Sequence, residues 1–118
     1  MPEPAEHPRR SCCPVACTLD LLGDRWTLLI VRDLFRGVDR YSAFARSPEG
    51  IATNILADRL DELVANGIAE RFVPTGQKRA RYRLTDAGRE LEPLLRAVAD
   101  WGLKHISGTE AKLAPQPN

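Results

Sequence analysis

GIATNILADRLDELVANGIAERFVPTGQKRARYRL, residues 50–84, is the stretch whose periodicity decides the fold. Its first half repeats apolar residues at helical spacing, Leu56, Leu60, Leu63 and Val64. That pattern predicts a helix from about Thr53 to Asn66, ended by Gly67. The period then drops from 3.6 to 2. Ile68 to Val73 reads as a strand, Thr75-Gly76-Gln77-Lys78 as a hairpin tip, and Arg79 to Leu84 as a returning strand. In the returning strand Ala80, Tyr82 and Leu84 alternate with Arg79, Arg81 and Arg83, so one face is dry and the other charged.

Working outward, Tyr41 to Arg46 forms a short helical turn with Tyr41 and Phe44 on one face, and Ser47-Pro48-Glu49-Gly50 breaks it. Further upstream, Asp24 is placed to N-cap a helix reaching Phe35 or Arg36, with Trp26, Leu29, Ile30 and Leu34 facing the core. Gly37 stops that helix. A short helix over 15–22 precedes it, with Gly23 as its C′ stop. Downstream, Thr85 caps a last helix that runs to about His105. Ala87, Leu91, Leu94, Val98, Trp101 and His105 recur on it at alternating steps of four and three, widened by Leu95 and Gly102, as in a coiled-coil seam. Pro93 lies inside that span and is expected to kink it. The fold class expected is α+β, mainly α: a winged helix-turn-helix with a two-stranded wing and flanking N- and C-terminal dimerisation helices. The domain covers 12–106, between a disordered arm at 1–11 and a flexible tail at 107–118.

The chain has 118 residues, 43% apolar and 28% charged, with a formal net charge of +1. This is ordinary globular composition for one domain. The longest uninterrupted apolar run is Leu28 to Val31, and the first ten residues hold no apolar signal segment. A cytoplasmic protein without membrane partners is expected, and the size disfavours an enzyme with its own cofactor domain. No cofactor is expected. The neutral total conceals a pattern: residues 71–84 carry five basic groups and no acidic one, a local anion-binding surface.

Together these elements point to duplex DNA. A helix-turn-helix presents the start of its second helix to a major groove. That start carries Thr53 and Asn54; Asn bonds the edge of adenine in two places, and Thr offers a hydroxyl or a methyl. Anchored at Leu60, the helical wheel turns Asn54 and Asp58 away from the core, and Arg59 joins them as a DNA-facing candidate. Lys78, Arg79 and Arg81 follow on the hairpin and are set to reach phosphates or a minor groove. Asp58, Asp61 and Glu62 repel phosphate and are expected to lie deeper along the helix. A winged helix that binds protein instead would suit those acids but leaves the hairpin cations unexplained. A thiol enzyme is disfavoured, because no CxxC is present and neither His falls in a catalytic pattern.

The stretches CPVACTLDLLGDRWTLLIVRDLF, GIATNILADRLDELVANGI, RYRLTDAGREL and ADWG together resemble HxlR-type winged-helix regulators of the larger MarR-like group, in family order over about residues 13–105. The resemblance implies a cytoplasmic, dimeric, DNA-binding repressor or activator. The seam through Leu94, Val98 and Trp101 is the expected homodimer interface, and two-fold symmetry implies a near-palindromic operator. The family often has Ser where this chain has Ala52, so either Thr53 caps the recognition helix instead or the start of that helix is weaker. Cys13-Pro14-Val15 matches a CPV start that some members use as a thiol switch, which makes Cys13 the candidate redox or electrophile sensor. The alternative is a cysteine packed at the interface. His7, Cys12, Cys13 and Cys17 match no common zinc spacing, so no metal is expected. The sequence identifies no small-molecule effector.

Overall fold

The change of period at Gly67 coincides with a change from helix to sheet. A computed structural model describes residues 10–110 as α1 (Pro14–Leu22), α2 (Thr27–Phe35), α3 (Tyr41–Phe44), α4 (Thr53–Ala65), β1 (Ala69–Phe72), β2 (Arg81–Leu84), α5 (Asp86–Arg89) and α6 (Glu92–His105). Most of the expected arm and tail, and His7 with them, lie outside the described residues. No helix among those described is long and apolar enough to cross a membrane.

The strands pair antiparallel, with Arg71 opposite Tyr82 and Glu70 opposite Arg83. Tyr82 and Leu84 are buried and Arg83 is exposed, the dry and charged faces expected of an alternating strand. The backbone N–H of Tyr82 also donates to the Asp39 carbonyl, so the chain entering α3 lines the sheet edge. Val31, Phe44, Leu56, Leu60 and Leu63 form the driest part of the core. One apolar cluster therefore joins α2, α3, α4 and the sheet. Closing turns at Gly37 (φ 89°) and Gly67 (φ 74°) adopt the left-handed conformation that glycine permits. At Gly67 the bonds Gly67 N–H to Val64 O and Ile68 N–H to Leu63 O complete a Schellman motif, which turns α4 directly into the wing.

Three details correct the sequence reading. The last helix is two helices: Thr85 caps only α5, its hydroxyl accepting from Gly88 N–H. Pro93 then lies in the first turn of α6, where its missing N–H has no helical partner to lose, so it starts a helix instead of kinking one. Gly23 ends α1 with an ordinary φ of −80°. It is required there for space, since a Cβ would lie 2.4 Å from the Leu19 carbonyl oxygen. Finally, α2 begins at Thr27 with Trp26 as its N-cap residue; Asp24, expected there, lies two residues earlier and accepts from the N–H groups of Trp26 and Thr27 at 3.0 and 3.1 Å across the preceding turn.

Candidate nucleic-acid interface

Two anchors fix α4 on the body. At its start, Arg32 of α2 reaches the turn between α3 and α4. Its guanidinium donates to both Glu49 carboxylate oxygens at 2.8 and 2.9 Å, to Ser47 Oγ at 3.0 Å, and to Asp33. Arg32 is only 16% exposed, so this fork is sheltered, and it holds the Glu49 carboxyl down at about 2, with the Ser47 hydroxyl assisting. Midway along α4, Arg59 donates from Nε to Asp24 at 3.0 Å and from Nη1 to Glu62 at 3.3 Å. Partial burial pushes the Asp24 carboxyl up. The Thr27 hydroxyl, the Trp26 N–H, the Arg59 guanidinium and the Thr27 N–H outweigh it and hold the group below its ordinary value.

The start of α4 is open. Ala52 is its N-cap residue and supplies no side-chain cap, and neither does Thr53. Ala52, Thr53, Asn54 and Asp58 are all exposed. The Tyr41 hydroxyl donates to the Thr53 carbonyl at 2.7 Å, tying α3 to the first residue of α4.

Tyr41 also lines a cleft of about 800 Å³ between α3 and the wing, together with Arg40, Ser42, Arg71, Lys78 and Arg79. Arg81 lines it too, but its Nη1 is engaged with Asp39 at 3.1 Å. Among the described residues, Arg40, Arg71, Lys78 and Arg79 have no carboxylate partner. The cleft lining contains no acidic residue. Further along β2, Arg83 pairs with Glu70 and lies over the Phe72 ring, 4.2 Å from its centroid.

The expected site residues therefore separate. Thr53, Asn54 and Asp58 lie exposed on the first two turns of α4, and Lys78 and Arg79 are exposed cations beside the wing cleft. Arg59 and Arg81 are turned inward onto Asp24 and Asp39. Sequence reasoning missed Arg40, Tyr41 and Ser42. Arg40 stands 31 residues before the start of the basic run, and the Tyr82–Asp39 backbone bond and the Arg81–Asp39 ion pair reveal that the two stretches adjoin.

Away from this face, Cys13 is the N-cap residue of α1 and is exposed, as is Cys12. The N–H groups of Ala16 and Val15 in the first turn hold the Cys13 thiol below its ordinary value. Cys17 is half-buried, its Sγ 3.3 Å from the Ser11 carbonyl oxygen. Arg10 is bound to Asp20. On α6, Leu94, Val98 and Trp101 are 38%, 50% and 62% exposed, whereas Leu95 packs inward. Val15 and Leu19 of α1 are exposed as well.

A profile described as HxlR-like helix-turn-helix matches residues 21–110. The chain belongs to this family. An HTH-type transcriptional regulator of Mycobacterium tuberculosis, Rv3095, is 41% identical over 98 residues, covering 81% of this chain and 61% of the relative. The chain thus spans about three fifths of the mycobacterial protein it matches. The HTH-type transcriptional regulator YybR of Bacillus subtilis is 34% identical, with 81% and 78% covered. Among solved structures, PA1607, described as a candidate transcription factor, superposes with a TM-score of 0.82 at 40% identity, over 92% of this chain and 82% of that one. The redox regulator HypR in its oxidized form gives 0.71 at 33% identity, over 79% and 97%. These likenesses confirm the mainly helical winged helix-turn-helix architecture.

Proposed function

We propose that this chain is a transcriptional regulator that binds double-stranded DNA as a homodimer, with the start of α4 in the major groove and the wing cations on the flanking backbone. The observation that carries this reading is the Tyr41 bond to Thr53. It joins the exposed, base-reading end of α4 to the wall of a cleft lined by unpaired cations. The names of the relatives support the same reading.

In this reading Thr53 and Asn54 select sequence, while Lys78 and Arg79 supply affinity. Arg59 and Arg81 act one step back, positioning α4 and the wing through Asp24 and Asp39. Leu94, Val98 and Trp101 form the self-complementary seam, so the operator is near-palindromic. Cys13 is the regulatory thiol, supported by its exposure, its lowered pKa and the likeness to HypR. A protein that works on the chromosome in this way resides in the cytoplasm and needs neither membrane nor cofactor.

The decisive experiment is selection of bound duplexes from a random pool at fixed salt, followed by titration of the winner across salt concentrations. The expected result is an inverted-repeat sequence and an affinity that falls steeply with salt. Absence of salt-dependent duplex binding overturns the reading.

A further inference from the structure

We propose that the cleft between α3 and the wing is a seat for the DNA backbone, in which Arg40 and Arg71 bind phosphate and Tyr41 transmits that grip to the recognition helix. The inference rests on the DNA-binding reading above. It assigns a binding role to residues outside both the helix start and the wing tip.

The charge distribution is the first argument. Arg40 comes from the segment before α3, Arg71 from β1, and Lys78 and Arg79 from the hairpin tip, yet all four line one concavity. The nearby carboxylate of Asp39 is already engaged by Arg81. Like charges converging on a concave wall repel one another, and the repulsion is relieved when an anion occupies the space between them. Ser42 and Gln77 add neutral donors to the same lining.

The character of the lining selects the anion. Sites for small effectors are mostly apolar, with a few polar groups to orient the ligand. This cleft instead carries five cationic side chains and no carboxylate, set beside Tyr41, Ala80 and Tyr82, which supply apolar surface. It is an open trough of about 800 Å³, suited to a stretch of polyanionic backbone that passes through.

The geometry gives the grip a consequence. Tyr41 lines the trough and its hydroxyl holds the Thr53 carbonyl at 2.7 Å. A phosphate seated against Arg40 therefore fixes the height of α4 over the groove, and with it the reach of Asn54.

The test uses the full chain and duplexes of about 30 base pairs, long enough for two half-sites one turn apart. One duplex carries the selected sequence and one a random sequence. Arg40→Ala and Arg71→Ala are expected to weaken binding to both duplexes alike, about five- to tenfold, and to flatten the salt slope by about one. Their thermal midpoints should match the parent, since both side chains are exposed and unpaired. Tyr41→Phe should keep the salt slope and lower the ratio of specific to random affinity. Replacing one phosphate per half-site by a neutral methylphosphonate should weaken the parent, with no further loss in Arg40→Ala.

If both arginine variants keep parental affinity and slope while Arg79→Ala loses them, the trough assignment is overturned and the DNA reading stands. An unchanged specificity ratio in Tyr41→Phe removes the transmission through Thr53. Parent protein that binds neither duplex in a salt-dependent way overturns the DNA reading, and the trough assignment with it. Pyrophosphate shifting the amide signals of Ser42 and Gln77, combined with normal duplex binding by Arg40→Ala, assigns the trough to a small anion instead.

Discussion

Asn54 and Arg79 are both exposed and polar, and under the DNA-binding reading they do different work. Asn54 sits in the first turn of α4 with no charge of its own, whereas Arg79 is an unpaired cation at the trough. Arg79→Ala is expected to weaken specific and random DNA equally and to flatten the salt slope by about one. Asn54→Ala is expected to leave the slope intact and to cost about 1–3 kcal/mol of discrimination, read as the ratio of the two affinities. The exposure of Asn54 was legible in the sequence because a helical wheel needs only its own helix. Arg59 was not, because its partner Asp24 is 35 residues away, and a wheel cannot show a guanidinium folding back across α4. Arg81 follows the same logic: strand alternation places it on the charged face, while the Asp39 carboxylate that engages it belongs to another element.

Elements were legible wherever their limits were set by local chemistry. The Schellman turn at Gly67, the Thr85 cap and the alternating faces of β2 all follow from residues within a few positions of one another. The break between α5 and α6 escaped because the apolar seam continues across it, so periodicity alone reads one helix. Packing on the sheet is what holds α5 separate. A Cβ on Gly88 would lie 2.1 Å from the Ile68 carbonyl oxygen and 2.9 Å from a Leu84 methyl. Gly88→Ala should therefore destabilise the domain by about 1–3 kcal/mol, measurable as a lower urea midpoint at constant m-value. The turn between α3 and α4 has its own signature in pH. Glu49 titrates at about 2 when folded, against an ordinary 4.5, because of the Arg32 fork. Its contribution is complete above the ordinary value and disappears as pH falls toward 2. Glu49 itself keeps 33% of its side chain exposed, and solvent screening there reduces the contribution to about 1 kcal/mol. Glu49→Gln should be less stable than the parent at pH 6, and the difference should narrow on acidification; an equal gap at both ends of a series of urea titrations would mean the fork does not carry it.

At the scale of the molecule, the body and the terminal helices differ in how they are packed. The core is closed by α2, α3, α4 and the wing, while α6 keeps only Leu95 buried and leaves Leu94, Val98 and Trp101 exposed. An apolar stripe on a helix that barely joins the core is what a two-fold partner would cover. Ending the chain after Asp100 removes Trp101, whose ring stacks on His105 with centroids 4.8 Å apart. The truncated protein should sediment as a monomer and bind DNA weakly, because one recognition helix forfeits the second half-site; an intact dimer would move the interface elsewhere. Cys13 belongs to the same assembly problem. It opens α1, whose Val15 and Leu19 are exposed like the stripe on α6, so modification there falls on a second apolar surface available to a partner. The first-turn N–H groups favour its thiolate, and thiolate is the form that attacks oxidants and electrophiles. Cys17 sits one turn on, with its sulfur directed at the Ser11 carbonyl, and is the less accessible of the two. Diamide or a quinone should therefore change DNA binding by the parent and leave Cys13→Ser unaffected. The change needs no new contact with DNA: spacing between half-sites is fixed by the duplex, so a small rotation between subunits is enough to unseat one recognition helix. If parent and Cys13→Ser respond alike, or neither responds, Cys13 is a packing residue and any control of DNA binding lies elsewhere.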